Sequence, residues 1–237
     1  MITLVTPRDA HLGYIPVSLI AQETPFCFRR DDESSVEKIR ASLSHSGQTH
    51  PALLEQLANG RFRIIDGHRR VAAIQRILRT GGAWEKILAH VVPSAEPRLV
   101  LRWLTHRNTG PLALKSTERG AFFAWARSAG TDVPLMAREC GLTISEIEDS
   151  LELAGAPREL ATLIDDAGLA PLYAVMLLRR YLAWSRSTEG PLALAAVRRL
   201  LEESRKSPLT IKSWRFLLDF YWSPRGPFMI ESYHAYA

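Results

Sequence analysis

Between Phe62 and Leu78 the chain switches from an extended run to a helical one across a single glycine. Phe62-Arg63-Ile64-Ile65 reads as a strand returning from the turn Ala58-Asn59-Gly60, since Asn-Gly is a strong hairpin signal. After Gly67 the apolar residues fall at Val71, Ile74, Ile77 and Leu78, the spacing of one helix face, until Gly81-Gly82 stops it. A strand that turns through Gly67 straight into a helix restricts this part of the chain to a mixed α/β arrangement.

The residues at the junction carry chemistry as well. Gly67 lets the backbone turn tightly and approach a ligand. The first turn of a helix points amides outward and favours an anion. Arg69 and Arg70 add forked donors that match phosphate oxygens. His68 can donate, accept or shuttle a proton, and Asp66 can cap the helix or hold an arginine. From residue 61 to 79 there are six arginines and one acid, Asp66. A solvated, arginine-rich hairpin and helix is the plain alternative.

Around this junction lie further short elements. Tyr14-Ile15-Pro16-Val17 reads as extended, and residues 24–30 as a loop interrupted by Pro25. Ser34-Ser35 are candidate caps for a helix with Val36, Ile39 and Leu43 on one side, ended by Gly47. Residues 51–55 and 87–92 read as strands. From residue 96 the pattern turns helical, with runs at 99–106, 116–129, 133–140 and 144–153, helices starting at Pro157 and Pro171, and runs at 191–203 and 209–222 before a turn at 223–227. The expected fold class is therefore α+β: a small α/β domain over 1–95, then an all-helical domain over 96–237.

Residues 133–153 have the form of a helix-turn-helix. Ala137 is small enough for helices to cross closely, Gly141 sits at the turn, and Leu142, Ile147 and Leu151 face inward. Thr143 and Ser145 would contact DNA, with Arg138, Arg179 and Arg180 on the backbone. The charge of the second helix argues the other way: Glu146, Glu148, Asp149 and Glu152 stand there with no Lys or Arg, and DNA gains affinity from neutralised phosphates. A helical hairpin without a DNA role is the alternative.

Composition narrows the classes. The 237 residues carry a net charge of +5, which favours polyanionic partners without identifying one. Cys27 and Cys140 have no metal-ligand spacing, so no zinc site or disulfide scaffold is expected, and a reducing cytoplasm fits. The N-terminus does not read as a signal peptide, and no run is long and apolar enough to span a bilayer.

The order of these pieces resembles the ParB family of chromosome- and plasmid-partition proteins, and more widely the ParB/sulfiredoxin-like fold. Thr24-Pro25-Phe26-Cys27-Phe28-Arg29 resembles the family's Asn-Pro-x-Gln-Pro-Arg segment. Gly47-Gln48-Thr49-His50-Pro51 resembles its Gly-x-x-Gln-Pro stretch at altered spacing. Asp66-Gly67-His68-Arg69-Arg70-Val71-Ala72-Ala73 is similar to its Gly-Glu-Arg-Arg-x-x-Ala-Ala box except at His68, and Leu169 to Ala174 resembles the helix start that follows its helix-turn-helix. Together these cover roughly residues 12 to 185.

The resemblance implies a nucleotide-binding domain that takes CTP (or ATP or ADP) with Mg²⁺, double-stranded DNA bound by the helical part, a homodimer, a partition ATPase partner, and a cytoplasmic, nucleoid-associated location. Carried over, Gly67, His68, Arg69 and Arg70 would hold phosphates, with Arg29 and Arg107 nearby. The family's Glu-Asn-x-x-Arg stretch, which supplies Mg²⁺ and phosphate contacts, falls on Trp103-Leu104-Thr105-His106-Arg107, where only Arg107 matches. Two other readings stay open. The box also resembles that of ParB-like free serine kinases, in which Asp66 and His68 would sit at the phosphate site and Glu23, Asp31 or Glu33 would act as base. An adaptor that has lost both activities would use the acidic helix to dock a protein. Sulfiredoxin chemistry needs a cysteine where His68 stands.

Overall fold

The computed structural model describes residues 10–21, 26–28, 33–93, 96–107, 114–185, 190–205 and 210–221. The fold is α+β. In chain order the elements are β1 (His11–Pro16), a 3₁₀ turn (Val17–Leu19), α1 (Glu33–Ser46), β2 (Ala52–Gln56), β3 (Phe62–Asp66), α2 (His68–Arg79), β4 (Lys86–Val92), α3 (Pro97–Arg107), α4 (Ser116–Ser128), α5 (Val133–Cys140), α6 (Ile144–Leu153), α7 (Arg158–Ala167), α8 (Pro171–Ser185), α9 (Gly190–Ser204) and α10 (Ile211–Tyr221). The expected turn at 223–227 lies outside the described residues. Among those described, no helix is long and apolar enough to cross a membrane.

The chain divides into two compact units, one of residues 1–114 with 125–142, the other of 115–124 with 143–237. Helix α5 belongs to the first and α6 to the second. The segment between β4 and α3, where a domain boundary is expected from sequence, lies inside the first unit.

In the first unit four strands form one sheet in the order β1-β4-β2-β3. β2 and β3 form the hairpin expected around Asn59-Gly60, and β4 returns after α2 to pair parallel with β2 and antiparallel with β1. β2 is central, and its Ala52, Leu53 and Leu54 are fully buried, as a strand with neighbours on both sides requires. Helices α1 and α2 cover the sheet through Val36, Leu43, Val71, Ile74 and Ile77. Burying one such side chain contributes about 1.5–3 kcal/mol, so the periodicity read from the sequence corresponds to the main stabilising term. One expectation is corrected. Ser34 and Ser35 lie inside α1, which already starts at Glu33, a carboxylate suited to the positive end of the helix.

The second unit has its own core, built by Leu153, Leu160, Ile164, Val175, Leu178, Val197, Leu200, Trp214 and Leu218. Its helices are joined by specific polar contacts. Asp165 of α7 is buried and accepts from the Thr117 backbone amide at 3.1 Å, at the start of α4. Trp214 Nε1 donates to the Tyr173 carbonyl at 3.1 Å. Gly120 of α4 lies so close to the end of α6 that an added Cβ would sit 2.4 Å from the Ser150 carbonyl oxygen.

Candidate functional site

A cleft of about 400 Å³ opens at the junction of β3 and α2 in the first unit, within the roughly 300–1,000 Å³ typical of small-molecule sites. Gly67, His68, Arg69 and Arg70 all line it, together with His50 and His90. Four residues singled out in the sequence are thus brought to one wall.

Gly67 is the N-cap of α2, at φ 106°, and provides no side-chain cap. A Cβ at this position would lie 2.9 Å from the Ala52 Cβ. The glycine is therefore required by the tight left-handed turn expected from sequence and by the close packing of that turn on β2. Asp66 takes the second of its two expected roles: its carboxylate accepts from Arg70 Nη2 at 3.2 Å.

The two arginines of the box differ. Arg70 Nη1 donates to the carbonyls of His50 at 2.5 Å and Pro51 at 3.0 Å, so its guanidinium ties the loop before β2 to the start of α2. Arg69, the residue before it on the helix, also lines the cleft. A side chain that entered the sequence reading only through the resemblance of residues 47–51 fixes the same loop from the other side. Gln48 Nε2 donates to the Leu88 carbonyl at 2.7 Å, and the Leu88 amide donates to Gln48 Oε1 at 2.8 Å. The side-chain amide thereby copies a backbone pair on β4, forty residues away. These contacts carry His50 to the cleft, while β4 brings in His90. His50 entered the sequence reading only through the resemblance of residues 47–51, and His90 was not singled out. The aromatic loop is anchored too: the Phe26 and Trp125 rings meet edge-on at 5.1 Å, and Arg63 lies over Phe26 at 5.3 Å.

Phosphate fits this wall. The N-terminal end of a twelve-residue helix, Arg69 and three imidazoles suit an anion. Mg²⁺ does not fit. It demands oxygen ligands, and Asp66 is the one carboxylate among the described lining residues and already engages Arg70. At α3, where the resemblance places oxygen ligands, Trp103 and Leu104 are buried, and Leu104 contributes hydrocarbon to the cleft. No group of three or more candidate metal ligands occurs among the described residues.

The other candidates fall elsewhere. Arg29, Glu23 and Asp31 lie outside the described residues, and Arg107 closes α3 with its side chain outside that set. Glu33 pairs with Arg76 at 2.9 Å. Helices α5 and α6 have the bounds expected from sequence, and Asp132 caps α5 by accepting from the Leu135 amide at 2.8 Å. At α6 the Thr143 hydroxyl is engaged in a capping box. It accepts from the Glu146 amide at 3.2 Å and donates to Glu146 Oε2 at 2.8 Å. The Thr143 amide also donates to Glu146 Oε2 at 2.8 Å, and this backbone bond, followed by that of the hydroxyl, holds the Glu146 carboxyl below its usual range. Ser145 and Arg138 are exposed. Arg179 is paired with Glu152, Nη2 to Oε2 at 2.6 Å, and Arg180 with Asp219.

Residues 5–101 match the family model of the ParB N-terminal domain. Among solved structures, a Pnob8-like ParB-N domain is similar at TM-score 0.53 and 12% identity, over 94% of this chain and 97% of that one. C-terminally truncated ParB from Caulobacter crescentus, complexed to the centromeric parS site, is similar at TM-score 0.48 and 16% identity, over 87% of this chain and 98% of that one. The same protein complexed with CTP-γ-S gives 0.36 and 16%, over 80% and 98%. No curated protein matches the chain. Residues 5–101 thus match a ParB N-terminal domain, and the fold is similar to that of the Pnob8-like ParB-N domain.

Proposed function

We propose that this protein is a ParB-like DNA-binding protein of plasmid, phage or chromosome maintenance, or of transcription control, whose cleft takes the phosphates of a nucleotide. The observation that supports the nucleotide part is the convergence of Gly67, His68, Arg69 and Arg70 on one cleft at the start of α2. On this reading Arg69 and the first-turn amides meet the phosphates, and the imidazoles of His50, His68 and His90 add donors. Arg70 acts one step back, holding the loop that carries His50. With Asp66 the one carboxylate among the described lining residues and already engaged by Arg70, the metal ion that accompanies a nucleotide in solution gains little hold from them. Duplex DNA, a second copy of the chain and a partition ATPase are the partners this reading calls for.

Equilibrium binding of labelled CTP, ATP and ADP tests it, in Mg²⁺ and in EDTA, with the wild type and Arg69→Ala. Micromolar binding that survives EDTA and weakens at least about tenfold in the variant, the worth of one charge-assisted contact, is the expected result. CTP preference would favour a partition-type switch, and adenine preference the kinase branch. Absence of binding by every nucleotide would remove the nucleotide part.

A further inference from the structure

Helix α3 carries Arg98, Arg102 and Arg107 and no carboxylate, while α6 carries four carboxylates and no Lys or Arg. Helix α5 packs against α3 within the first unit and adds Arg138. Two contacts set their register. Arg98 Nε and Nη2 donate to Glu139 Oε1 at 3.0 and 2.8 Å, and Thr105 Oγ1 lies 3.1 Å from Cys140 Sγ. The Glu139 side chain is 11% exposed and that of Arg98 59%, so the acid lies beneath the arginine it binds. Glu139 is held below the usual carboxylate range, first by the Arg98 hydrogen bond, then by the fields of Arg98, Arg102 and Arg138, against the effect of burial. Arg98 thus binds the carboxylate directly, while Arg102, on the same helix, and Arg138, next to Glu139 in α5, act on it only through their fields. Arg98 neutralises it, and the charges of Arg102 and Arg138 remain uncompensated on the surface. Both are exposed, and neither has a hydrogen bond or ion pair with another described residue.

We infer that the α3–α5 face of the first unit is a docking surface for the phosphate backbone of duplex DNA, with Arg102 and Arg138 each taking a phosphate and Arg98 held in register by Glu139. The inference rests on the DNA-binding reading, keeps Arg138 among its backbone contacts and puts Arg102 there in place of Arg179 and Arg180. Arg98 and Arg102 stand four residues apart, about 6 Å along the helix axis, and guanidinium forks match phosphate oxygens. An acidic protein is the less suitable occupant. Protein interfaces centre on a buried apolar or aromatic patch, and on these two helices Leu99 is the one large exposed apolar side chain among the described residues. Arg179 and Arg180, by contrast, each already face a carboxylate.

The test is fluorescence anisotropy of a labelled duplex with the full chain, titrated from low to moderate salt. The proteins are the wild type, Arg102→Ala/Arg138→Ala, Arg102→Lys/Arg138→Lys, and Arg179→Ala/Arg180→Ala. The double alanine variant is expected to melt like the wild type, since both side chains are exposed. It should bind at least about tenfold more weakly at low salt, with a slope of log K against log salt shallower by about 2, roughly 0.9 per lost phosphate contact. The lysine variant should recover most of the slope. An alanine variant that binds like the wild type would overturn the inference. So would loss confined to the Arg179/Arg180 variant, which would keep the DNA reading, and so would competition by polyglutamate as effective as by unlabelled duplex. A wild type that binds no duplex at the lowest salt would overturn both.

Discussion

Helices α2 and α6 are both picked out by the sequence as binding elements, and they begin in opposite ways. α2 starts on Gly67, with no side-chain cap and no acid in its first turn, and its first residues face a cleft. α6 starts on Thr143, whose hydroxyl and amide are both engaged with Glu146 in a reciprocal capping box. A helix end satisfied by its own residues is stabilised on its own. One whose cap residue brings no side chain leaves its positive end to be met by something else. On the proposed reading the difference puts anion chemistry at α2 and a stability role at the start of α6, although the sequence offered both Arg69 and Thr143 for phosphate contacts.

That contrast is open to attack at several residues. Gly67→Ala should have the largest effect. It forces a side chain into a φ of 106° and onto Ala52, so denaturant melts should show a loss of roughly 2–4 kcal/mol, and nucleotide binding should go with it. Next comes the separation of the neighbouring arginines. Arg70→Met removes the donors to the His50 and Pro51 carbonyls and should destabilise by roughly 1–3 kcal/mol in the melt, and Arg69→Ala should weaken nucleotide binding at least about tenfold. An Arg70→Met melt like that of the wild type would erase the tie between the loop and α2. Thr143→Ala should destabilise by about 1 kcal/mol, the usual worth of an N-cap, with nucleotide affinity unaltered.

The smallest effect is on pH dependence. The folded pKa of Glu146 lies below its unfolded value. Its contribution is therefore present above the unfolded pKa and is lost as pH falls through the folded one. The stability difference between the wild type and Glu146→Gln should shrink as acid melts are taken below about pH 4, near the unfolded carboxylate value. A difference independent of pH would mean that the charge of Glu146 is not what the cap uses.

Much of the fold was legible. Val71, Ile74 and Ile77 were read from spacing and are buried; Asn59-Gly60 made its hairpin, and α5 and α6 have the bounds read from their flanking residues. The expected cap at Ser34-Ser35 failed because a hydroxyl signals a helix start without saying which of several polar residues takes it. At the site, the box at residues 66–70 was legible and its division of labour was not. Nothing local distinguishes Arg69 from Arg70, because Arg70 is assigned its role by carbonyls about twenty residues earlier in the chain. Likewise, the carboxylates of α6 looked like a bar to phosphate until Glu146 and Glu152 were found engaged with Thr143 and Arg179.

The sequence by itself determined the elements of this protein and the glycine junction, since side-chain periodicity, turn residues and caps act within a few positions of the chain. The tertiary structure alone decided which groups share a surface. The order β1-β4-β2-β3 brings Gln48 to Leu88 and His50 and His90 to one cleft, and the packing of α3 on α5 brings Arg98 to Glu139. Such contacts join residues about forty positions apart, and their partners are set by the burial of whole faces rather than by any local preference.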